Sequence, residues 1–203
     1  MHVVSLGVIF TCLIFVTACS TQPIQSTDAL QKNQTWLSHK NKISNIHQWK
    51  ISGRFGAQTE SDSWNGSINW TQDSDKYNIK ISGPLSSGSF SLYGDAELST
   101  LKLSKDEVFE ATDPDVLMET YTGLRLPIKF LRHWIVGLPS PMNNQPQIAL
   151  NEEGQISRLS QKGWDISFKR YEKINNVFLP KKIFLENTEF DVRLVIGRWQ
   201  ITG

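Results

Sequence analysis

Residues 64–70, Trp-Asn-Gly-Ser-Ile-Asn-Trp, decide the fold, because Trp64, Gly66, Ile68 and Trp70 alternate with Asn65, Ser67 and Asn69. A period of two sends successive side chains to opposite faces of an extended chain, so this stretch is a strand with one apolar and one wet face. The rhythm repeats downstream in Tyr77, Ile79 and Ile81, in Phe90 and Leu92, and in Leu101 and Leu103. Short polar or glycine-containing breaks separate these runs and favour an antiparallel meander. After a Pro/Asn-rich loop at 139–146, alternation resumes in Ile156 to Leu159, Trp164 to Phe168, Ile183 to Leu185 and Phe190 to Ile196.

Helical patterns interrupt the strands. Asp113-Pro114 offers an N-cap carboxylate followed by proline at N1, and Gly123 offers the matching stop. A second start at Pro127 opens a stripe of Phe130, Leu131, Trp134, Ile135 and Leu138, with Lys129, Arg132 and His133 facing away and Gly137 and Pro139 closing it. Ahead of the strands, residues 28–46 set Leu30, Trp36, Leu37, Ile43 and Ile46 at helix-compatible spacings. The fold class is therefore mainly β with inserted helices (α+β): a strongly curved antiparallel sheet, a helix pair midway and another helix in front.

A curved sheet lined with large apolar residues either fills its own interior or leaves a cavity. Seven tryptophans supply rigid walls, and the helix at 127–137 is placed to lie over an open mouth, which favours a cavity. Its walls are expected to be the inward residues Ile68, Trp70, Ile79, Ile81, Phe90 and Leu92, closed by Leu131, Trp134 and Ile135.

The amino terminus carries an address. Residues 3–18 are uncharged and almost wholly apolar, the polarity of a signal-peptide core, and shorter than the about 20 residues of a spanning helix. Val16-Thr17-Ala18-Cys19 resembles the lipobox of bacterial lipoproteins, although Val16 replaces the usual Leu and the start lacks Lys or Arg. The expected organisation is a signal peptide at 1–18, a lipidated Cys19 with a flexible tether to residue 27, and a single domain over 28–203. Cys12 lies in the removed segment, so the mature chain has no disulfide to form. A net charge of +1 gives no broad field to draw nucleic acid, and no charge-driven partner is expected.

Enzymatic signatures do not emerge. His39, His47 and His133 have no metal-site spacing and are expected on the solvated surface or on helix surfaces. Residues 82–89 have neither a GxSxG elbow nor a phosphate loop, and Asp113 and Asp115 are expected to cap a helix. No catalytic residue, metal site or cofactor is assigned.

Taken in order, several short stretches resemble the LolB family of outer-membrane lipoprotein receptors. They include Gly53-Arg54, Trp70-Thr71-Gln72, Gly83-Pro84-Leu85, Thr122-Gly123, Leu126-Pro127, Leu131-Arg132, Gly137-Leu138-Pro139, Gly163-Trp164 and the terminal Val192 to Trp199. Ser86 departs from the pattern, where Gly commonly follows the Pro-Leu pair. The resemblance implies a half-open antiparallel β-barrel whose apolar, acyl-chain-binding cavity is covered by α-helices. It implies a monomer that accepts acylated lipoprotein cargo from a soluble periplasmic LolA-type carrier and inserts it into outer-membrane lipids, with Pro84 and Leu85 as the membrane-delivery loop. Ser20 after Cys19 fits outer-membrane residence with the domain facing the periplasm. Two alternatives stay open: a lipocalin-like envelope lipoprotein binding a small apolar ligand, and a structural lipoprotein with a solid core.

Overall fold

The computed structural model describes residues 27–83, 89–103, 105–141 and 145–202. Helix α1 (Thr27–Ser44) precedes strands β1 (Gln48–Gln58), β2 (Ser63–Asp73), β3 (Lys76–Ser82), β4 (Ser89–Gly94), β5 (Ser99–Lys102) and β6 (Val108–Ala111). Helices α2 (Pro114–Thr122) and α3 (Ile128–Trp134) follow. Strands β7 (Gln147–Leu150), β8 (Ile156–Gln161), β9 (Trp164–Ile174), β10 (Val177–Glu186) and β11 (Asp191–Ile201) end the chain.

Each meander pairs only with its sequence neighbours, except that β1 joins β11 and welds the two into one 11-stranded sheet, β6-β5-β4-β3-β2-β1-β11-β10-β9-β8-β7. All its ladders are antiparallel. The outer strands β6 and β7 do not pair with one another, so the sheet curves without closing into a barrel. Helices α2 and α3 span that gap in the chain, with α2 packed on β5 and β6, while α1 packs on β10.

Three strands have no clean alternation in the sequence. In β1, Trp49, Ile51, Phe55 and Ala57 point inward, but a bulge at Ser52/Gly53 interrupts the run. Gly53 is required there: a Cβ would lie 2.2 Å from the Val195 carbonyl oxygen, inside backbone that has no room to move. The edge strands β6 and β7 are four residues each, too short to declare a period.

The first helix corrects two expectations. Leu30 and Leu37 are 48% and 56% exposed, and the buried stripe is Trp36, His39 and Ile43. Neighbouring residues on a helix point about 100° apart, so Trp36 and Leu37 cannot both face the sheet, and the larger ring is the one buried. His39, expected at the surface, therefore lies inside, between the rings of Trp36 at 6.3 Å and Tyr171 at 6.5 Å. Its Nε2 has no hydrogen-bond partner among the described residues, and burial, reinforced by Lys42, pulls its pKa below the usual histidine value. His47 is exposed.

The inserted pair follows its sequence signals closely. Asp113 accepts the Asp115 N–H at 3.0 Å, Pro114 opens α2, and Gly123 ends it at φ 72°. Asp115 goes beyond a capping role, because its Oδ1 accepts the Ile128 N–H at 2.8 Å and ties the start of α3 to the start of α2. Gly137, at φ 84°, turns the chain out of α3.

Candidate functional site

The inward faces of β1–β4 and β10–β11 meet the undersides of α2 and α3 around an apolar void. Ile68, Trp70, Ile79, Ile81, Phe90, Leu92, Leu131 and Ile135 all face it, joined by Phe55, Met118, Leu126, Ile128, Leu185, Val192 and Leu194. The strands present these side chains because each alternates, and α3 because Ile128, Leu131 and Ile135 recur at three- and four-residue spacings. Phe55 was hidden from sequence reading by its flanking glycines, whereas Val192 and Leu194 lay in a visible alternating run.

Trp134 stands elsewhere. Its fully buried indole donates to Gln161 Oε1 at 2.9 Å, on the side of α3 facing β8, and does not wall the void. Gln161 also accepts the Ser140 N–H at 2.9 Å and donates to the Ser140 carbonyl at 2.8 Å, so one buried amide pins the C-terminal end of α3. A polar residue at an inward strand position was the available signal for this contact.

The void measures about 30 Å³. Pockets that take a drug-sized ligand measure roughly 300–1,000 Å³, so there is no room in this state for an acyl chain. Larger clefts lie beyond it, two of them at opposite ends of the strands. A groove of about 600 Å³ runs between α1 and α3, lined in part by Lys40, Ile43, His47, Trp49, Arg132 and His133. At the opposite end a mouth of about 420 Å³ is lined by Trp64, Phe90, Leu103 and Tyr121 together with Gly83 and Ser89, the residues flanking the β3–β4 connection. Pro84 and Leu85 themselves lie outside the described residues, as does Cys19.

Polar ties hold the cover at its rim. Arg132 of α3 pairs with Asp75 at 2.6 Å, and Arg125 pairs with Glu119 at 2.5 Å and Glu189 at 2.9 Å. All are partly or largely solvated, where such pairs contribute about 0 to 1 kcal/mol, so the cover is held mainly by its apolar underside. Burial raises Asp115 to about 6, with the nearby Asp113 adding to the shift. Half-buried His133, expected to face solvent, is lowered to about 4 by burial and by adjacent Arg132. Among the described residues no cluster of His, Cys, Asp and Glu could hold a metal ion, and no helix is long and apolar enough to cross a membrane.

The fold, an open antiparallel sheet wrapped around an apolar interior and capped by helices, is shared with solved proteins. A LolA superfamily protein from Nitrosomonas europaea superposes with a TM-score of 0.53 at 6% identity, over 84% of this chain and 94% of its own. An outer membrane lipoprotein-sorting protein domain from Vibrio parahaemolyticus gives 0.55 at 9%, over 85% and 93%. Within that fold the sequence is specific: the family model for outer membrane lipoprotein LolB matches residues 47–199. Outer-membrane lipoprotein LolB of Nitrosococcus oceani is 37% identical over 97% of both chains, and that of Pseudomonas aeruginosa is 35% identical over 82% of this chain and 81% of its own. The chain belongs to the LolB family of outer-membrane lipoproteins.

Proposed function

We propose that this protein is the outer-membrane receptor that takes acylated lipoproteins from a soluble periplasmic carrier and delivers them to the membrane, holding the acyl chains beneath α2 and α3. The observation that supports this reading most is an interior walled only by apolar side chains under a helical cover with solvated ties. Three acyl chains carry about 45 methylenes, which at about 0.8 kcal/mol each makes passage through water cost about 35 kcal/mol. A sheet that offers the chains an apolar lining removes most of that cost.

The small void means that cargo enters by displacing the cover. Because Asp115 bonds the Ile128 amide, α2 and α3 move together, swinging away from β1–β4 and leaving the sheet intact. Cys19 anchors the protein through its lipid, and Leu85 engages the bilayer during delivery. Burying one leucine contributes about 1.5–3 kcal/mol, enough for brief engagement and too little for anchoring.

Transfer from purified carrier loaded with a radiolabelled lipoprotein, into this protein and then into liposomes, tests the reading. Leu85→Glu should keep its thermal stability and its receipt of cargo while losing insertion. Unfolding, or insertion at the wild-type rate, would remove Leu85 from the delivery step. Saturable quenching of tryptophan emission by a fluorescent fatty-acyl probe separates a cavity that opens from a permanently solid core.

A further inference from the structure

The net charge of +1 conceals a segregation of charge across the sheet. All three helices lie over the inner face, and the outer face is free of them. On its central strands the outward side chains include Lys50 and Arg54 of β1, Arg193 and Arg198 of β11, Lys182 of β10 and Lys169 of β9, all exposed. The outward acids collect in the end rows: Glu186 stands opposite both Asp165 and Asp191, and Asp73 stands opposite Gln48. Between those rows β1, β10 and β11 carry no acid, β9 carries Glu172, which pairs with Lys181 of β10, and none of the six cations belongs to an ion pair among the described residues.

The centre of this face has an apolar spot. Lys169, Lys182 and Arg193 gather around the half-buried Phe184 ring, at 5.9, 5.1 and 5.7 Å from its centroid. Arg193 is the direct cross-strand partner of Phe184, and exposed Val195 lies between Lys182 and Arg54. Cations on flexible stems around short apolar side chains suit a lipid headgroup layer, where phosphates meet the charges and the ring and methyls reach the acyl boundary. The spread of the charges over four strands suits the smeared charge of a leaflet better than the localised acids of a protein site.

We propose that the outer face of the sheet is a second docking surface, for the anionic headgroup layer of the membrane on which the chain is tethered. This rests on the reading of Cys19 as the lipid anchor. Eight tether residues at about 3.3 Å each reach about 26 Å, so the face never leaves the neighbourhood of the bilayer, and contacts too weak to recruit a free protein suffice to orient a tethered one. Docked by this face, the domain turns α2, α3 and the groove beside Arg132 toward the aqueous side, where a soluble carrier approaches.

Unlipidated full chain carrying Cys19→Ala isolates the surface from the anchor. It should co-sediment with vesicles containing phosphatidylglycerol and leave pure phosphatidylcholine vesicles alone, and added salt should release it. Lys182→Glu with Arg193→Glu should weaken that binding about tenfold or more, whereas Lys40→Glu, a cation in the groove under the helices, should change it less than twofold. If charge reversal unfolds the sheet, Lys182→Gln with Arg193→Gln should still weaken binding severalfold at unchanged melting temperature. Equal binding to both vesicle types, or retained binding by the folded variants, overturns the proposal. So does loss of binding to purified carrier, in place of vesicles, on the same substitutions, which would assign the face to an acidic protein. Palmitate labelling of the wild type tests the anchor separately, so its failure is distinguishable from failure of the face.

Discussion

The β1–β4 half of the sheet and the β8–β10 half carry the same inward alternation of large apolar side chains, yet among the described residues the first supplies seven walls of the void and the second only Leu185. Over the second, Trp36 and Ile43 of α1 and Trp134 of α3 press into the sheet, and Ile156, Leu159, Ile166, Leu179 and Ile183 are each at most 1% exposed. Over the first, α2 and α3 present Met118, Ile128, Leu131 and Ile135, which are slimmer and leave a gap. The strands are equivalent; the covers differ. A sheet of this kind becomes a core or a container according to the side chains its helices lower onto it.

The largest expected effect lies in the filled half. Trp134→Ala should cost about 3–5 kcal/mol, since it empties a fully buried site and leaves the Gln161 amide without its indole donor. Ile81→Ala, beside the void, should cost about 2 kcal/mol, the low end for such truncations, because that side chain already lacks neighbours on one side. It should also enlarge the space available to an acyl probe. Urea denaturation of both variants measures the difference. Equal costs would mean that the two halves are packed alike, and the contrast between core and container would fall.

The strands of both halves read from sequence, and what did not read follows from the same contrast between their covers. Alternation in β2, β3 and β4 exposes Ile68, Trp70, Ile79, Ile81, Phe90 and Leu92 directly, because each run is unbroken and its outward partners are polar. The caps of α2 are equally local, written in Asp113, Pro114 and Gly123. Trp134 was misplaced because periodicity gives a helix an apolar stripe broad enough to touch two surfaces, here β1–β4 on one flank and β8 on the other. His39 was misplaced because polarity alone does not reveal that the rings of Trp36 and Tyr171 lie on either side of it. The charged outer face was invisible to net charge, which sums over faces that register keeps apart.

A smaller effect concerns the rim of the container. Asp75→Asn removes the carboxylate that holds Arg132, and with those side chains 61% and 33% exposed the loss should stay below about 1 kcal/mol. If the cover opens at that edge, a fluorescent acyl probe should enter the variant faster than the wild type, with little change in melting temperature. Unchanged entry kinetics in stopped-flow measurements would place the opening elsewhere, at the mouth beside Trp64 and Tyr121.

The smallest expected effect is a pH dependence that the two regions supply with opposite signs. His133, at the groove flank of α3, falls from 6.5 to about 4 on folding, through burial first and Arg132 second, with Asp75 opposing. As pH drops from 6.5 toward 4 the unfolded chain takes up a proton there that the folded chain refuses, so stability is lost; buried His39 acts in the same direction. Asp115, on the container side, rises from 3.8 to about 6 through burial and Asp113, against the pull of the Ile128 amide, Lys129 and Lys162. The folded chain binds that proton first, so acidification through 6 toward 3.8 gains stability. The two trends overlap and offset in the wild type. Asp115→Asn keeps a side-chain carbonyl for the Ile128 amide and leaves the histidines alone, so its melting temperature should fall more steeply than the wild type's between pH 7 and 5. His133→Gln should tilt the curve the other way. Melting temperatures by circular dichroism at pH 7, 6 and 5, compared as differences between variants, cancel the titration of the remaining surface groups. Three parallel curves would show that neither burial is deep enough to matter, and that the flanks of the cover differ in shape alone.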